Sequence, residues 1–227
     1  MSAPHFDPAD YLDLKETDHA AIFHGVTQAW EILPKLVHYL EEQLVPANFG
    51  RLIGSPVIGK SVYIGKGTVV EPGAFIKGPA WIGPNCQIRH GAYIRENVII
   101  GAGSVIGNST EIKNSFLFNG VQAPHFNYIG DSVVGAKAHL AAGVIVSNLK
   151  LSGDFIMIRS GETILTTGLR KFGALIGDEV EIGCNAVLNP GSVLGRKSMV
   201  YPGVSWRGIL PASTIAKTAT DIFERQA

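Results

Sequence analysis

A repeat with a period of six residues constrains the fold of this chain more than any other feature of its sequence. A large apolar residue recurs without a break at Ile58, Ile64, Val70, Ile76, Ile82, Ile88, Ile94, Ile100, Ile106, Ile112 and Phe118. The same spacing returns at Ile176, Ile182, Leu188, Leu194, Val200 and Trp206. An α-helix repeats every ~3.6 residues and a β-strand every ~2. A period of six therefore predicts a short strand and a tight corner, repeated along the chain.

The residues between these apolar positions support the same interpretation. The fourth residue after an apolar position is usually small, as at Thr68, Ala74, Ala80, Cys86 and Ala92. The third is usually turn-prone, and the chain holds 27 Gly and 12 Pro in 227 residues. This pattern resembles the hexapeptide repeat of left-handed parallel β-helices over residues 52–210. The resemblance implies a mainly β fold in which three hexads, or eighteen residues, complete one triangular coil.

The chain outside the repeat divides into three further parts. Residues 1–50 lack the period and are expected to form an α-helical segment before the β-helical domain at 51–210, and 211–227 form a tail. Asp7-Pro8 is a typical helix start. An apolar stripe predicts a helix from Pro34 onward that packs on the side or the end of the prism: Leu33, Leu36, Val37, Leu40 and Leu44. Residues 152–168 are expected to insert a β-hairpin with its turn at Ser160-Gly161.

Composition excludes several classes of protein. Nineteen basic and nineteen acidic residues balance, which argues against nucleic acid or an anionic membrane surface as a partner. The two cysteines, Cys86 and Cys184, form no CxxC pair, so neither a disulfide scaffold nor a structural zinc site is expected. The sequence has no secretory signal and no apolar run of membrane-spanning length. It lacks a Gly-rich phosphate loop, and residues 7–46 are too short for a nucleotide-binding domain. We therefore expect a soluble, cytoplasmic protein without nucleotidyltransferase activity.

Two cations and one histidine mark the expected site. Residues 119–128 break the period, and irregular segments on a rigid scaffold are often functional; this one contains His125. Arg95 and Lys113 each follow an apolar position and lie eighteen residues apart. In a three-hexad coil they share one column, where two like charges repel unless an anion lies between them. A phosphate would fit there. Arg89, one hexad earlier, lies on the adjacent face and is a weaker alternative to Arg95.

Longer motifs resemble one group of acyltransferases within this fold. They are Asn108-Ser-Thr-Glu-Ile-Lys113, Pro124-His-Phe-Asn-Tyr-Ile-Gly-Asp131, Leu140-Ala-Ala-Gly143, Ser147-Asn-Leu-Lys150 and Thr167-Gly-Leu-Arg-Lys171. The chain resembles the acetyltransferase domain of bifunctional N-acetylglucosamine-1-phosphate uridylyltransferase/glucosamine-1-phosphate acetyltransferases. It is more similar still to archaeal sugar-1-phosphate nucleotidylyltransferases that carry such a domain. The resemblance implies an acetyl-CoA-dependent N-acetyltransferase of an amino-sugar 1-phosphate, assembled as a homotrimer with sites between subunits.

The resemblance also assigns roles to individual residues. It implies that Arg95 and Lys113 bind the phosphate, that Tyr128 helps to orient it, and that His125 is the general base oriented by Glu111. Further positions are implied for the acyl and coenzyme site, and they comprise Asn148, Lys150, Ala142, Lys171 and Cys184. His139 replaces an asparagine that contacts the amino sugar in the family. Substitutions at the sugar-contacting and acyl-contacting positions leave the sugar and the acyl chain open.

Chemistry favours the same set of groups. Transfer of an acetyl group to an amine needs a base such as neutral imidazole and a donor to the oxyanion, such as an Asn amide. It needs no covalent acyl-enzyme, so Cys184 is expected to be a small residue in a groove, not a nucleophile. No metal is expected, because the histidines lack the spacing of a metal site. Two alternatives remain: an O- or N-acyltransferase for another sugar or nucleotide-sugar, and a non-catalytic β-helix that binds sugar phosphates.

Overall fold

A computed structural model describes residues 6–225. Residues 1–5 and 226–227, at the outer ends of the predicted helical segment and tail, lie outside the described part. Short parallel strands form a three-walled prism. The first wall contains, in order, Ala47–Asn48, Val62–Ile64, Ala80–Ile82, Val98–Ile100, Ser115–Leu117, Val133–Val134, Ala174–Ile176, Ser192–Leu194 and Ile209–Leu210.

The other two walls follow the same order along the prism. The second wall contains Arg51–Leu52, Val69–Val70, Gln87–Ile88, Val105–Asn108, Gln122–His125, His139–Leu140, Glu181–Ile182, Met199–Val200, Thr214–Ala216 and, antiparallel at its edge, Ile222–Glu224. The third wall contains Val57–Ile58, Phe75–Ile76, Tyr93–Ile94, Glu111–Lys113, Tyr128–Gly130, Ile145–Val146, Val187–Leu188 and Ser205–Trp206. The repeat therefore extends into the segment expected to be a tail.

The apolar positions of the repeat fill the prism as predicted, with one exception. Ile64, Ile94 and Ile112 are fully buried in its interior. Phe118, however, belongs to a second apolar cluster outside the first wall, and Leu117 takes the interior position opposite Ile100. The corner that follows Ile112 is one residue shorter than the preceding one, so the period changes before residue 119.

The inserted segment forms the expected hairpin, with its turn shifted by one residue. Strands Met157–Ser160 and Thr163–Thr166 pair antiparallel, and Ser160 lies opposite Thr163. The two-residue turn is therefore Gly161-Glu162, whereas the sequence analysis placed it at Ser160-Gly161. Gly161 has a φ of +58°, which tight hairpin turns require at their first position and glycine adopts readily.

The segment before the prism covers the outside of the first wall. It contains α-helices Pro8–Tyr11 and Leu36–Gln43 and 3₁₀ helices Ala20–Phe23 and Ala29–Lys35, so its helical content is lower than predicted. The side chain of Asp7 accepts a hydrogen bond from the Ala9 amide at 2.8 Å, as expected of a helix cap. None of the described helices is long and apolar enough to cross a membrane. The segment packs on the side of the prism, because the outward residues of this wall are apolar.

His19 lies in this interface and gives it a pH dependence. It is buried against Trp81, with ring centroids 4.7 Å apart, and its Nδ1 lies 3.0 Å from the Tyr39 hydroxyl. Burial lowers the pKa of His19, so the unfolded chain takes up a proton at a higher pH than the folded chain. The free energy of unfolding should therefore fall as the pH drops below ~6.5, by at most ~1.4 kcal/mol per pH unit.

Urea denaturation at pH 7.5 and pH 5.5 measures this effect. The loss of stability between these pH values should be smaller in His19→Gln than in the parent. The same loss of stability in His38→Gln should equal that of the parent, since His38 is exposed beside Glu41. Equal losses in the parent and His19→Gln would contradict the prediction.

Candidate active site

The register of the third wall places the two predicted phosphate ligands in one column. Ile94 pairs with Ile112, and the Arg95 amide donates to the Ile112 carbonyl at 2.8 Å. Arg95 and Lys113 therefore occupy the same position in adjacent coils, where the third wall turns into the first. We call these two residues the cation column.

Each cation of the column already has a carboxylate partner. Arg95 Nη1 donates to Glu111 Oε1 at 2.8 Å, and Arg95 Nη2 lies 3.3 Å from Glu96 Oε1. The hydrogen bond to Glu111 is the main reason why the pKa of Arg95 is raised. Lys113 Nζ lies 3.3 Å from Asp131 Oδ2. The expectation that only a bound anion could relieve the repulsion is therefore wrong, because neighbouring carboxylates do so.

Asp131 is the central acceptor of this corner, and the sequence analysis gave it no role. It is buried and accepts hydrogen bonds from Asn114 Nδ2 at 2.8 Å and from Asn148 Nδ2, besides its ion pair with Lys113. Asn114 occupies the shortened corner, with a φ of +42°. The change of period at this corner was the available sequence signal for Asp131, because the shorter corner brings these polar side chains together.

Tyr128 and Asn148 extend the cluster across the third wall. Burial raises the pKa of Tyr128, and the carboxylates of Asp131 and Glu111 add to this effect, while a hydrogen bond with Asn148 opposes it. The two side chains meet over Gly130, where a Cβ would lie 2.7 Å from both Tyr128 Oη and Asn148 Nδ2. Glycine is therefore needed for this close approach.

His125 lies exposed at the corner between the second and third walls. Within the described residues its ring makes no hydrogen bond, and Glu111 bonds Arg95, so the expected Glu111–His125 pair is not formed. Glu111 lies on the third wall beside the cation column, which favours Arg95 as its partner. The backbone at His125 is fixed by Asn127, a buried residue whose Oδ1 accepts from the His125 amide at 3.2 Å and whose Nδ2 donates to the Ala141 carbonyl at 2.8 Å.

Two predicted coenzyme contacts follow His125 along the same corner. The His125 carbonyl accepts from the Gly143 amide at 3.0 Å, and the Ala142 carbonyl accepts from the Asn185 amide at 2.9 Å. These bonds place Ala142 and Cys184 in the coils that follow His125. Cys184 is exposed and forms no disulfide.

Four other predicted residues lie away from the cation column. His139 and Arg89 both belong to the second wall; His139 Nδ1 lies 2.9 Å from Glu181 Oε2, and Arg89 donates to Gln87 at 3.0 Å. Lys150 and Lys171 flank the hairpin insertion, and Lys150 Nζ donates to the Phe155 carbonyl at 2.8 Å. Within residues 6–225 no group of three or more His, Cys, Asp and Glu side chains is placed to hold a metal ion.

Comparisons with known proteins agree with this architecture. The structure resembles UDP-N-acetylglucosamine acyltransferase from Francisella novicida, with a TM-score of 0.53 and 18% identity over 76% of this chain and 65% of that one. The fold is therefore the left-handed parallel β-helix that the sequence resemblance implied.

Two groups of sequence relatives match the chain in part. Residues 76–169 match a family model described as the GMPPB C-terminal domain. The chain is 33% identical to a bifunctional sugar-1-phosphate nucleotidylyltransferase/acetyltransferase from Sulfurisphaera tokodaii over 41% of this chain and 23% of that protein. It is 37% identical to the uncharacterized acetyltransferase YaiX of Escherichia coli over 46% of each chain. The chain thus spans less than a quarter of the archaeal relative. These matches confirm the resemblance to sugar-1-phosphate acetyltransferase domains.

Proposed function

We propose that this protein is an acetyl-CoA-dependent acyltransferase that N-acetylates an amino-sugar 1-phosphate. The observation that carries the proposal is the alignment of Arg95 and Lys113 in one column of a wall that also holds Tyr128. His125 lies exposed at the adjoining corner. A phosphate bound at the column would share Arg95 with Glu111, because that cation is the more exposed of the two.

The chemistry assigns one task to each group. The lone pair of the sugar amine attacks the thioester carbon and forms a C–N bond, while His125 accepts the amine proton. The Asn148 amide is the proposed donor to the oxyanion. The C–S bond then breaks, and the thiol leaves with a proton. Binding both substrates together supplies the proximity, so no acyl-enzyme is required.

A thiol-release assay tests the proposal. Acetyl-CoA should release thiol with glucosamine-1-phosphate or galactosamine-1-phosphate and much more slowly with glucosamine, which lacks the phosphate. We also propose that the protein is a homotrimer with sites between its subunits. Light scattering in dilute solution should then give three times the mass of one chain. If both sugar phosphates bind but release no thiol, and His125→Ala binds them as tightly as the parent, the protein is a non-catalytic sugar-phosphate binder.

Arg95→Met should raise KM for the sugar phosphate about 10-fold and change kcat little, because it removes binding present in both the ground and transition states. The methionine keeps most of the apolar stem. Arg89→Met is the matched control, since Arg89 lies on the second wall and donates to Gln87. An increase in KM in Arg89→Met but not in Arg95→Met would indicate that the phosphate binds at the second wall and not at the cation column.

A further inference from the structure

The two ends of the prism differ in how they close its apolar interior. At the first coil, Leu52 occupies the interior position of the second wall and is 39% exposed. Val70 and Ile88, which stack on it in the next two coils, are fully buried. At the last coil, the interior side chains of Trp206 and Leu210 are buried. The prism is therefore closed at its last coil and open at its first, and we call residues 41–60 the open end.

The backbone of the first coil adds free strand edges to the open end. Ala47–Asn48, Arg51–Leu52 and Val57–Ile58 are the first strands of the three walls, and among the described residues no further strand pairs with their outer edges. Such an edge presents amide and carbonyl groups that can pair with another chain. At the opposite end, Ile222–Glu224 covers the edge of the second wall. The N-terminal segment packs on the outside of the first wall and not across the open end.

Further apolar side chains are exposed around these edges. Val45, Phe49, Ile53 and Val57 are each at least 36% exposed. Their burial against a partner would remove apolar surface from water, which favours association. A specific interface typically uses ~20–30 residues on each side, and the open end comprises twenty. The open end is thus large enough and apolar enough to bind a protein partner.

The charges of the open end indicate which partner fits. Glu42 is exposed on the helix Leu36–Gln43, outside the first wall, and Arg51 is exposed on the second wall. Neither forms an ion pair with any residue from 6 to 225. A two-fold axis normal to the third wall turns one prism end onto another and exchanges the first and second walls. Arg51 of one copy would then face Glu42 of the other, so the open end is complementary to itself in charge.

We infer that the open end binds the open end of a second copy of this chain, so that two prisms join end to end. The Val57–Ile58 edges of the two copies run antiparallel, as Thr214–Ala216 and Ile222–Glu224 do within one chain at the other end. Leu52 of each copy is covered by the interior of the other. Because the same surface serves both sides, the assembly closes after two prisms. The inference does not depend on acyl transfer, and it applies to single chains and to the proposed homotrimer alike.

Light scattering of the full chain over a dilution series tests the contact. At high concentration the parent should have twice the mass of Leu52→Glu, because the contact would bury the new carboxylate without a partner. These masses are six and three chains if the proposed homotrimer is correct, and two and one if it is not. The parent's mass should fall by half on dilution. Phe223→Glu changes an exposed apolar residue at the opposite end and should keep the parent's mass.

Reversal of the two charges tests the two-fold arrangement. Glu42→Lys and Arg51→Glu should each raise the Kd of the end-to-end contact about 10-fold, since each places like charges opposite one another in both halves of the contact. The double variant Glu42→Lys/Arg51→Glu should have a Kd within about twofold of the parent's, because its pairs attract again. A double variant no tighter than the single variants would overturn the arrangement.

Thermal melting monitored by circular dichroism should give every variant the parent's fold, so that lost association is not lost structure. If Leu52→Glu does not fold, the charge variants decide, since both residues are exposed. A parent with the same mass as folded Leu52→Glu at every concentration would overturn the inference and leave the open end to a different protein. Association lost equally in Phe223→Glu would overturn it as well. No acyl-transfer assay enters this test, so the proposed function can fail or hold independently.

Discussion

Replacement of His125 by alanine should lower kcat by roughly 10²–10⁴-fold, the usual contribution of a positioned general base. His125 is the only group proposed to take the proton from the attacking amine, and Asn127 holds its backbone at the corner by accepting a hydrogen bond from the His125 amide. Steady-state thiol release with saturating acetyl-CoA measures the effect. KM for the sugar phosphate should change little, because the phosphate ligands remain.

His38→Ala is the matched control, since His38 is exposed and lies beside Glu41 in the N-terminal segment. It should retain the parent's kcat. A parent-like kcat in His125→Ala would remove this residue as the base and leave the mechanism without a proton acceptor. Titration of the variant with sugar phosphate separates this outcome from lost substrate binding.

Asp131→Asn should lower the free energy of unfolding by about 2–4 kcal/mol, because it leaves the Lys113 ammonium without its counterion. The Lys113 and Asp131 side chains are 13% and 6% exposed. Lys113, Asn114 and Asn148 all donate to the Asp131 carboxylate. An amide nitrogen in place of one oxygen would face a donor instead of accepting from it. Urea denaturation monitored by circular dichroism measures the change.

Glu179→Gln is the control for Asp131→Asn. Both residues have a positive φ, of 49° at Asp131 and 57° at Glu179, but the ion pair of Glu179 with Lys197 is exposed. Exposed ion pairs contribute little, so its variant should stay within about 0.5 kcal/mol of the parent. Equal losses in the free energy of unfolding in the two variants would show that Asp131 stabilises the protein no more than an exposed ion pair does.

Some of the candidate site could be predicted because it depends only on the repeat. Arg95 and Lys113 share a column because eighteen residues complete a coil there and Ile94 stacks on Ile112. The partner of Glu111 could not be predicted in this way. A strand position fixes the wall on which a carboxylate lies, but the choice between an arginine and a histidine depends on the conformations of the side chains around it.

The six-residue period by itself predicted a short strand and a corner repeated along the chain, because such a period fits neither an α-helix nor a single long strand. The resemblance to hexapeptide-repeat β-helices then implied the three-hexad coil that places the two cations in one column. Only the tertiary structure decided that the N-terminal segment covers the first wall, that Asp131 neutralises Lys113 and that the insertion packs against the corner at Gly191. These contacts join residues far apart in sequence. They depend on the number of residues in single corners, as at Asn114, and on where an insertion packs, and a six-residue period specifies neither.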